Sequence, residues 1–179
     1  MGPSRATRPV SPPAWLLELG IPETCISLQT SVGDAQARFR LRKAPGDEVW
    51  CVRVDGCWLD GEQKKVDYLF YCSNASGNHT VVLVELKGRH FSDALAQIRS
   101  TLKQLCKLGI DGGIHQGAHQ NSPGHAAAHS GGVRAYVILS KYRSTSLDQI
   151  ELQRIAKEFQ VVILPRSQVL SVPGVDRLP

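Results

Sequence analysis

The sequence predicts a mixed α/β (α+β) fold, with a mixed central β-sheet flanked by helices in the order αβββαβαβ. Three observations lead there. The β-rich segments 48–54, 66–72 and 80–87 follow one another with short links, the pattern of an antiparallel meander. Leu95, Ile98, Leu102, Leu105 and Leu108 then recur at helical spacing. The remainder reads strand, helix, strand, which favours parallel pairing with helices packed on the sheet.

Each element has a local reason. Pro12 and Pro13 precede Ala14, and Gly20 closes the apolar run that follows, so residues 14–19 suit a short helix. The stretch 34–41 fits helix or strand. From Glu48 the residues alternate: Val49, Cys51 and Arg53 fall on one side, Trp50, Val52 and Val54 on the other, and Asp55-Gly56 turns the chain. Trp58 and Leu59 suit a paired continuation. The polar, Gly-containing link 73–79 separates the next two strands. Ser92 is a suitable N-cap for the long helix, Asp93 lies in its first turn, and Gly109 ends it. Residues 133–139 read as a strand. Ser146 opens a helix to about Gln160 that carries Ile150, Ile155 and Phe159. Residues 161–164 form a last buried strand, stopped by Pro165.

A chain of 179 residues fits one domain of ordinary size. We divide it into a flexible lead-in, 1–13, a single domain, 14–167, and a tail, 168–179. A long Gly-, His- and Ala-rich loop spans 109–132, a length that points to function or disorder. With 42% hydrophobic and 21% charged residues the chain is not globally disordered. No apolar run reaches the roughly 18 residues that span a bilayer, and the Pro- and Arg-rich start lacks the apolar centre of a secretory signal. A cytoplasmic protein without a membrane partner is expected. The five cysteines are an odd number with no Cys-x-x-Cys pair, which suggests reduced, buried thiols. The sequons at Asn74 and Asn78 read as chance matches in a turn. A net charge of +5 and a pI near 9.1 favour capture of polyanions.

Two acids and a lysine stand where an apolar sheet would not place them. Glu85 interrupts Val81-Val82-Leu83-Val84, and Lys87 follows two residues later. Period two sets Leu83, Glu85 and Lys87 on one face. If the neighbouring strands pair, Asp67 meets Glu85 at one end of the sheet. Two carboxylates in a low-dielectric site call for a cation between them. Mg²⁺ accepts one or two carboxylates and keeps its waters, and Lys87 beside it would stabilise charge developing on phosphate. On spacing alone, a salt-bridge cluster at a sheet end explains these residues equally well.

Lys65-Val66-Asp67-Tyr68-Leu69-Phe70, followed by Val82-Leu83-Val84-Glu85-Leu86-Lys87-Gly88, resembles the motif of the PD-(D/E)xK (restriction-endonuclease-like) nuclease superfamily over roughly residues 48–164. Val66 stands where the naming proline would be. The resemblance implies a restriction-endonuclease-like core with helices on both sides of a mixed sheet. It also implies Asp67, Glu85 and the backbone carbonyl of Leu86 as ligands of Mg²⁺ (or Mn²⁺), with Lys87 as the third catalytic residue. Gln97 matches a polar helix position that faces such sites and joins the catalytic set. Asp55 is the first candidate for an additional metal-binding acid, ahead of Glu18 and Glu48. Lys65, Arg89, Arg99, Lys103 and Lys107 are candidates for nucleic-acid contact, with Lys64 nearby; Arg99, Lys103 and Lys107 form a stripe at i, i+4 and i+8. Such contacts hold a phosphate backbone without reading sequence.

The expected function is a Mg²⁺-dependent phosphodiesterase, a DNA endonuclease, acting as a homodimer, in a larger assembly or with a partner that supplies specificity. The alternative is a non-catalytic nucleic-acid-binding or assembly module on the same fold. A zinc enzyme built on His115, His119, His125 and His129 would need a stable helix that Gly113, Gly117, Pro123 and Gly124 disfavour.

Overall fold

The computed structural model describes residues 11–59, 61–76, 78–87, 90–110, 132–141, 144–167 and 169–172. Along these the chain forms α1 (Ala14–Glu18), a 3-10 turn (Glu23–Cys25), β1 (Ile26–Ser27), β2 (Ser31–Gly33), β3 (Arg38–Leu41), β4 (Glu48–Arg53), β5 (Tyr68–Ser73) and β6 (His79–Lys87). There follow α2 (Phe91–Lys107), β7 (Val133–Leu139), α3 (Ser146–Phe159), β8 (Val162–Ser167) and β9 (Val169–Val172). The fold is mixed α+β. Its central sheet runs β1-β4-β5-β6-β7-β8, antiparallel from β1 to β6 and parallel from β6 to β8.

The helices share one face of this sheet. Chain progress from β6 through α2 to β7, and from β7 through α3 to β8, advances in the same direction across the sheet. Right-handed crossovers then put both helices on the same side. Phe91, Leu95, Ile98, Leu102 and Leu105 of α2, Ile155 and Phe159 of α3, and Leu16 of α1 form one core with Trp50, Val52, Leu69, Leu83 and Val137. The opposite face, carrying Val49, Cys51, Phe70, Val82, Val84 and Tyr136, is covered by Phe39, Leu41 and Val172. Those three belong to a second sheet ordered β2-β3-β9. The Phe39 ring lies 5.3 Å from both Phe70 and Tyr136, centroid to centroid. The expectation of helices on both faces is therefore corrected: a three-stranded sheet occupies the place of one helical layer.

The element order is also fuller than expected. Strands β1, β2 and β3 intervene between α1 and β4, and β9 follows β8. The ambiguous stretch resolves as strand, because Phe39 and Leu41 bury while Arg38 and Arg40 do not. Trp58 and Leu59 do not extend a strand; they lie in a turn with a single bridge, Asp55 to Leu59. Pro165 does not stop β8, which continues to Ser167, since β8 is the edge strand of the central sheet and has no outer neighbour that would need the missing N–H. The assigned tail contains β9, whose parallel pairing with β3 joins residues far apart in sequence.

Helix boundaries follow packing and capping. α2 starts two residues early, with His90 and not Ser92 at the N-cap and no side-chain cap bond; burial of Phe91 fixes the first turn. α3 begins in a capping box, Thr145 Oγ1 accepting from the Asp148 N–H at 3.2 Å and the Asp148 carboxylate from the Thr145 N–H at 2.8 Å. Among the described residues no helix is long and apolar enough to cross a membrane.

Two cysteine expectations are corrected. Cys25 and Cys57 form a disulfide, and Cys106 is exposed. The antiparallel pairing of Ile26 with Val52 brings the residue before β1 to the turn after β4. Cys51 and Cys72 are buried free thiols, as expected. The His pairs, and nearly all of the Gly- and His-rich segment, lie outside the described residues, as does Arg89.

Candidate active site

The site is built where β5 begins and β6 ends. The last pair of their ladder is Tyr68 with Val84, and one step further Asp67 stands opposite Glu85. Alternation along β6 turns Glu85 and Lys87 to the α2 face, in line with Val81 and Leu83 of the helical core. The ladder gives way here to crosswise side-chain bonds. The Asp67 N–H donates to Glu85 Oε2 at 3.2 Å. The Leu86 N–H donates to Asp67 Oδ2 at 2.7 Å. Each acid is thus anchored through one oxygen to the backbone of the other's strand.

The second oxygens are less engaged. Glu85 is fully buried. Its Oε1 lies 3.3 Å from Lys87 Nζ and pairs with that ammonium. Asp67 is half-buried. Burial and the neighbouring Asp67 charge push the Glu85 carboxyl up to about 8, against the pull of Lys87. Burial likewise raises Asp67, while the Leu86 N–H and Lys87 oppose the rise. Two raised acids facing one lysine form a site short of positive charge.

α2 aims this segment. Thr101 Oγ1, on the buried face of the helix, accepts from the Val66 N–H at 3.0 Å. Gln97 Nε2 donates to the Lys65 carbonyl at 2.8 Å. Lys65 Nζ in turn donates to the Gly61 carbonyl at 2.9 Å and lies 3.6 Å from Asp55. These contacts fix the two residues before Asp67. Gln97, expected at the site, therefore acts on it through Lys65, its amide nitrogen already engaged. Thr101 escaped the sequence reading; the only signal was a hydroxyl within the apolar period of α2.

The remaining candidates separate. Asp55 pairs with Lys65, and its charge contributes to raising Asp67, so it stands at the rim. Glu48 pairs with Ser73 at the far end of β4 and is away from the site; Glu18 is an exposed residue of α1. Lys64 pairs with Asp93 at 3.2 Å. Arg99 does not join a free stripe. It pairs with Glu151 at 3.7 Å and Glu158 at 2.8 Å, tying α2 to α3. Lys103 and Lys107 are exposed.

The donor set suits a hard dication. Asp67 and Glu85 supply adjacent oxygens whose like charges oppose each other, with the Lys87 ammonium 3.3 Å from Glu85 Oε1. Among the described residues no three His, Cys, Asp or Glu side chains converge as a metal-ligand group, so an ion held here would take the rest of its shell from backbone oxygen and water. The chain matches no family model, no curated protein and no solved structure.

Proposed function

We propose that this chain is a metal-dependent phosphodiesterase acting on DNA, an endonuclease with a core of the PD-(D/E)xK kind. The observation that carries the reading is the crosswise anchoring of Asp67 and Glu85 beside Lys87. Without a cation between the two acids, burial and the neighbouring Asp67 charge raise Glu85 to about 8; a dication would let both ionise. Here a fully buried acid and a half-buried one share a single near lysine. The β4-β5-β6 meander, leading through α2 to parallel β7, agrees with the motif's setting.

Asp67 and Glu85 would hold Mg²⁺ or Mn²⁺, with the Leu86 carbonyl as the further ligand that the resemblance implies. The ion supplies charge neutralisation and activation of water at neutral pH. The chain's own residues do the rest. Lys87, whose side chain is 31% exposed, can reach a phosphate at the sheet end and stabilise charge on its oxygens. Thr101 and Gln97 hold residues 65–66 so that Asp67 keeps its aim. Asp55 keeps Lys65 in place.

Incubation with supercoiled plasmid tests the reading, with Mg²⁺, Mn²⁺ or EDTA, beside Asp67→Ala and Lys87→Ala. Nicking or linearisation that requires metal and disappears in both variants is expected. Cleavage that survives unchanged in the variants would overturn the site.

A further inference from the structure

We infer that the outer face of the small sheet is a docking surface for the phosphate backbone of duplex DNA, made by Arg38, Arg40 and Arg42. The choice of DNA as the polyanion rests on the nuclease reading; the surface itself rests on separate residues. In β3, Phe39 and Leu41 are buried against the central sheet, so period two turns Arg38 and Arg40 to the other side. Arg42 continues the row, its N–H donating to the Val172 carbonyl at 2.9 Å. Successive arginines stand roughly 6.6 Å apart along the strand.

The flanking strands leave this row uncovered. On the β2 side, Gly33 faces Arg38 and Ser31 faces Arg40; on the β9 side, Val169 faces Arg38 and Ser171 faces Arg40. These neighbours are short and carry no charge. Arg40 and Arg42 are exposed and Arg38 half-buried. Among the described residues none of the three has an acid within ion-pair distance, whereas Lys64, Lys65, Lys87, Arg99 and Arg154 all do. The backbone N–H groups of Ala37 and Gln36, which donate to Asp34 Oδ1, lower the Asp34 carboxyl, and Arg38 helps after them. Arg42 Nε donates to Ser171 Oγ at 2.9 Å, which orients that guanidinium and leaves its terminal nitrogens for an anion.

Three unpaired guanidinium groups at regular spacing suit a partner of dense, regular negative charge. Duplex DNA carries one charge per about 1.7 Å of axis, and arginine forks match phosphate oxygens bidentately. An anionic membrane is the lesser fit, because the facing residues Gly33, Ser31, Val169 and Ser171 include no aromatic or long aliphatic side chain to enter the bilayer interface.

The test compares wild type with Arg38→Gln/Arg40→Gln/Arg42→Gln and with the corresponding triple lysine variant. Affinity for a short duplex of arbitrary sequence is measured in EDTA, from about 50 to 200 mM salt. Phosphatidylcholine vesicles with and without phosphatidylserine form a parallel arm. The glutamine variant should bind DNA at least about tenfold more weakly, with a salt slope shallower by 2–3, since each phosphate contact contributes about 0.9. The lysine variant should keep most of the slope, which separates charge from misfolding. Wild-type affinity and slope in the glutamine variant would overturn the inference. So would absence of wild-type DNA binding, or arginine-dependent binding confined to phosphatidylserine vesicles. Because EDTA removes any role for Asp67 and Glu85, failure of cleavage and failure of this surface are read separately.

Discussion

Asp67 and Glu85 are clamped reciprocally: the Asp67 backbone N–H holds Glu85 Oε2, and the Asp67 carboxylate takes the N–H of Leu86, next to Glu85. This exchange replaces one rung of the β5–β6 ladder with side-chain bonds. It fixes two acids side by side at the end of the sheet.

The clamp predicts how stability responds to pH without metal. The folded state raises Glu85 from 4.5 to about 8 and raises Asp67 as well. The folded chain therefore binds more protons than the unfolded one across this window. Stability is greatest below about pH 4.5 as far as these groups act, and it is lost as pH rises through about 8. Urea unfolding in EDTA should show that loss, while Glu85→Gln should flatten it and leave the variant more stable near about pH 9, by on the order of 2–4 kcal/mol. Equal pH profiles for the two proteins would contradict the burial of an ionisable Glu85.

Thr101 predicts a second outcome. Thr101→Val keeps the shape but removes the acceptor of the Val66 N–H. A buried donor left unsatisfied costs about 1–3 kcal/mol, measurable by urea unfolding. The same change should weaken Mn²⁺ affinity, because Asp67 follows Val66 directly. Gln97→Ala should act in the same direction and less strongly, since Gln97 is only half-buried.

Arg99 gives a prediction opposite to its sequence reading. Its pairs with Glu151 and Glu158 join α2 to α3. Arg99→Ala should lower stability by about 0.5–1 kcal/mol, less at high salt, and leave DNA affinity in EDTA unchanged. A large loss of DNA affinity would return Arg99 to the binding surface.

The Cys25–Cys57 disulfide closes a loop over a sequence separation of 32. Reduction, or Cys25→Ser/Cys57→Ser, should cost about 2–4 kcal/mol of stability. Thermal unfolding with and without reductant checks it. Coincident transitions would mean that the bridge does not constrain the chain.

How much of this was legible follows from how local each feature is. The alternation of Val49 to Val54, the helical period from Leu95 to Leu105 and the Asp67, Glu85 and Lys87 pattern are short-range signals, and each marks the side of the sheet or helix that the residue occupies. The layer opposite the helices was not legible. It depends on β3 pairing with β9, a contact between Phe39 and Leu170, and nothing in either short segment names the other. The disulfide was missed for the same reason, because β1, which brings Cys25 to Cys57, is only two residues long. The ion pairs of Arg99 with Glu151 and Glu158 were not legible because a basic stripe on one helix does not reveal the acids on the next.

The central claim is that Asp67 and Glu85 together hold one dication. The most direct measurement is Mn²⁺ binding followed by electron paramagnetic resonance, on wild type, Asp67→Asn and Glu85→Gln. The account predicts one bound Mn²⁺ per wild-type chain, displaced by Mg²⁺, with affinity reduced at least about tenfold in either variant, because each removes one of two charged ligands. Binding of equal strength in all three proteins, or no binding to the folded wild type, would contradict it.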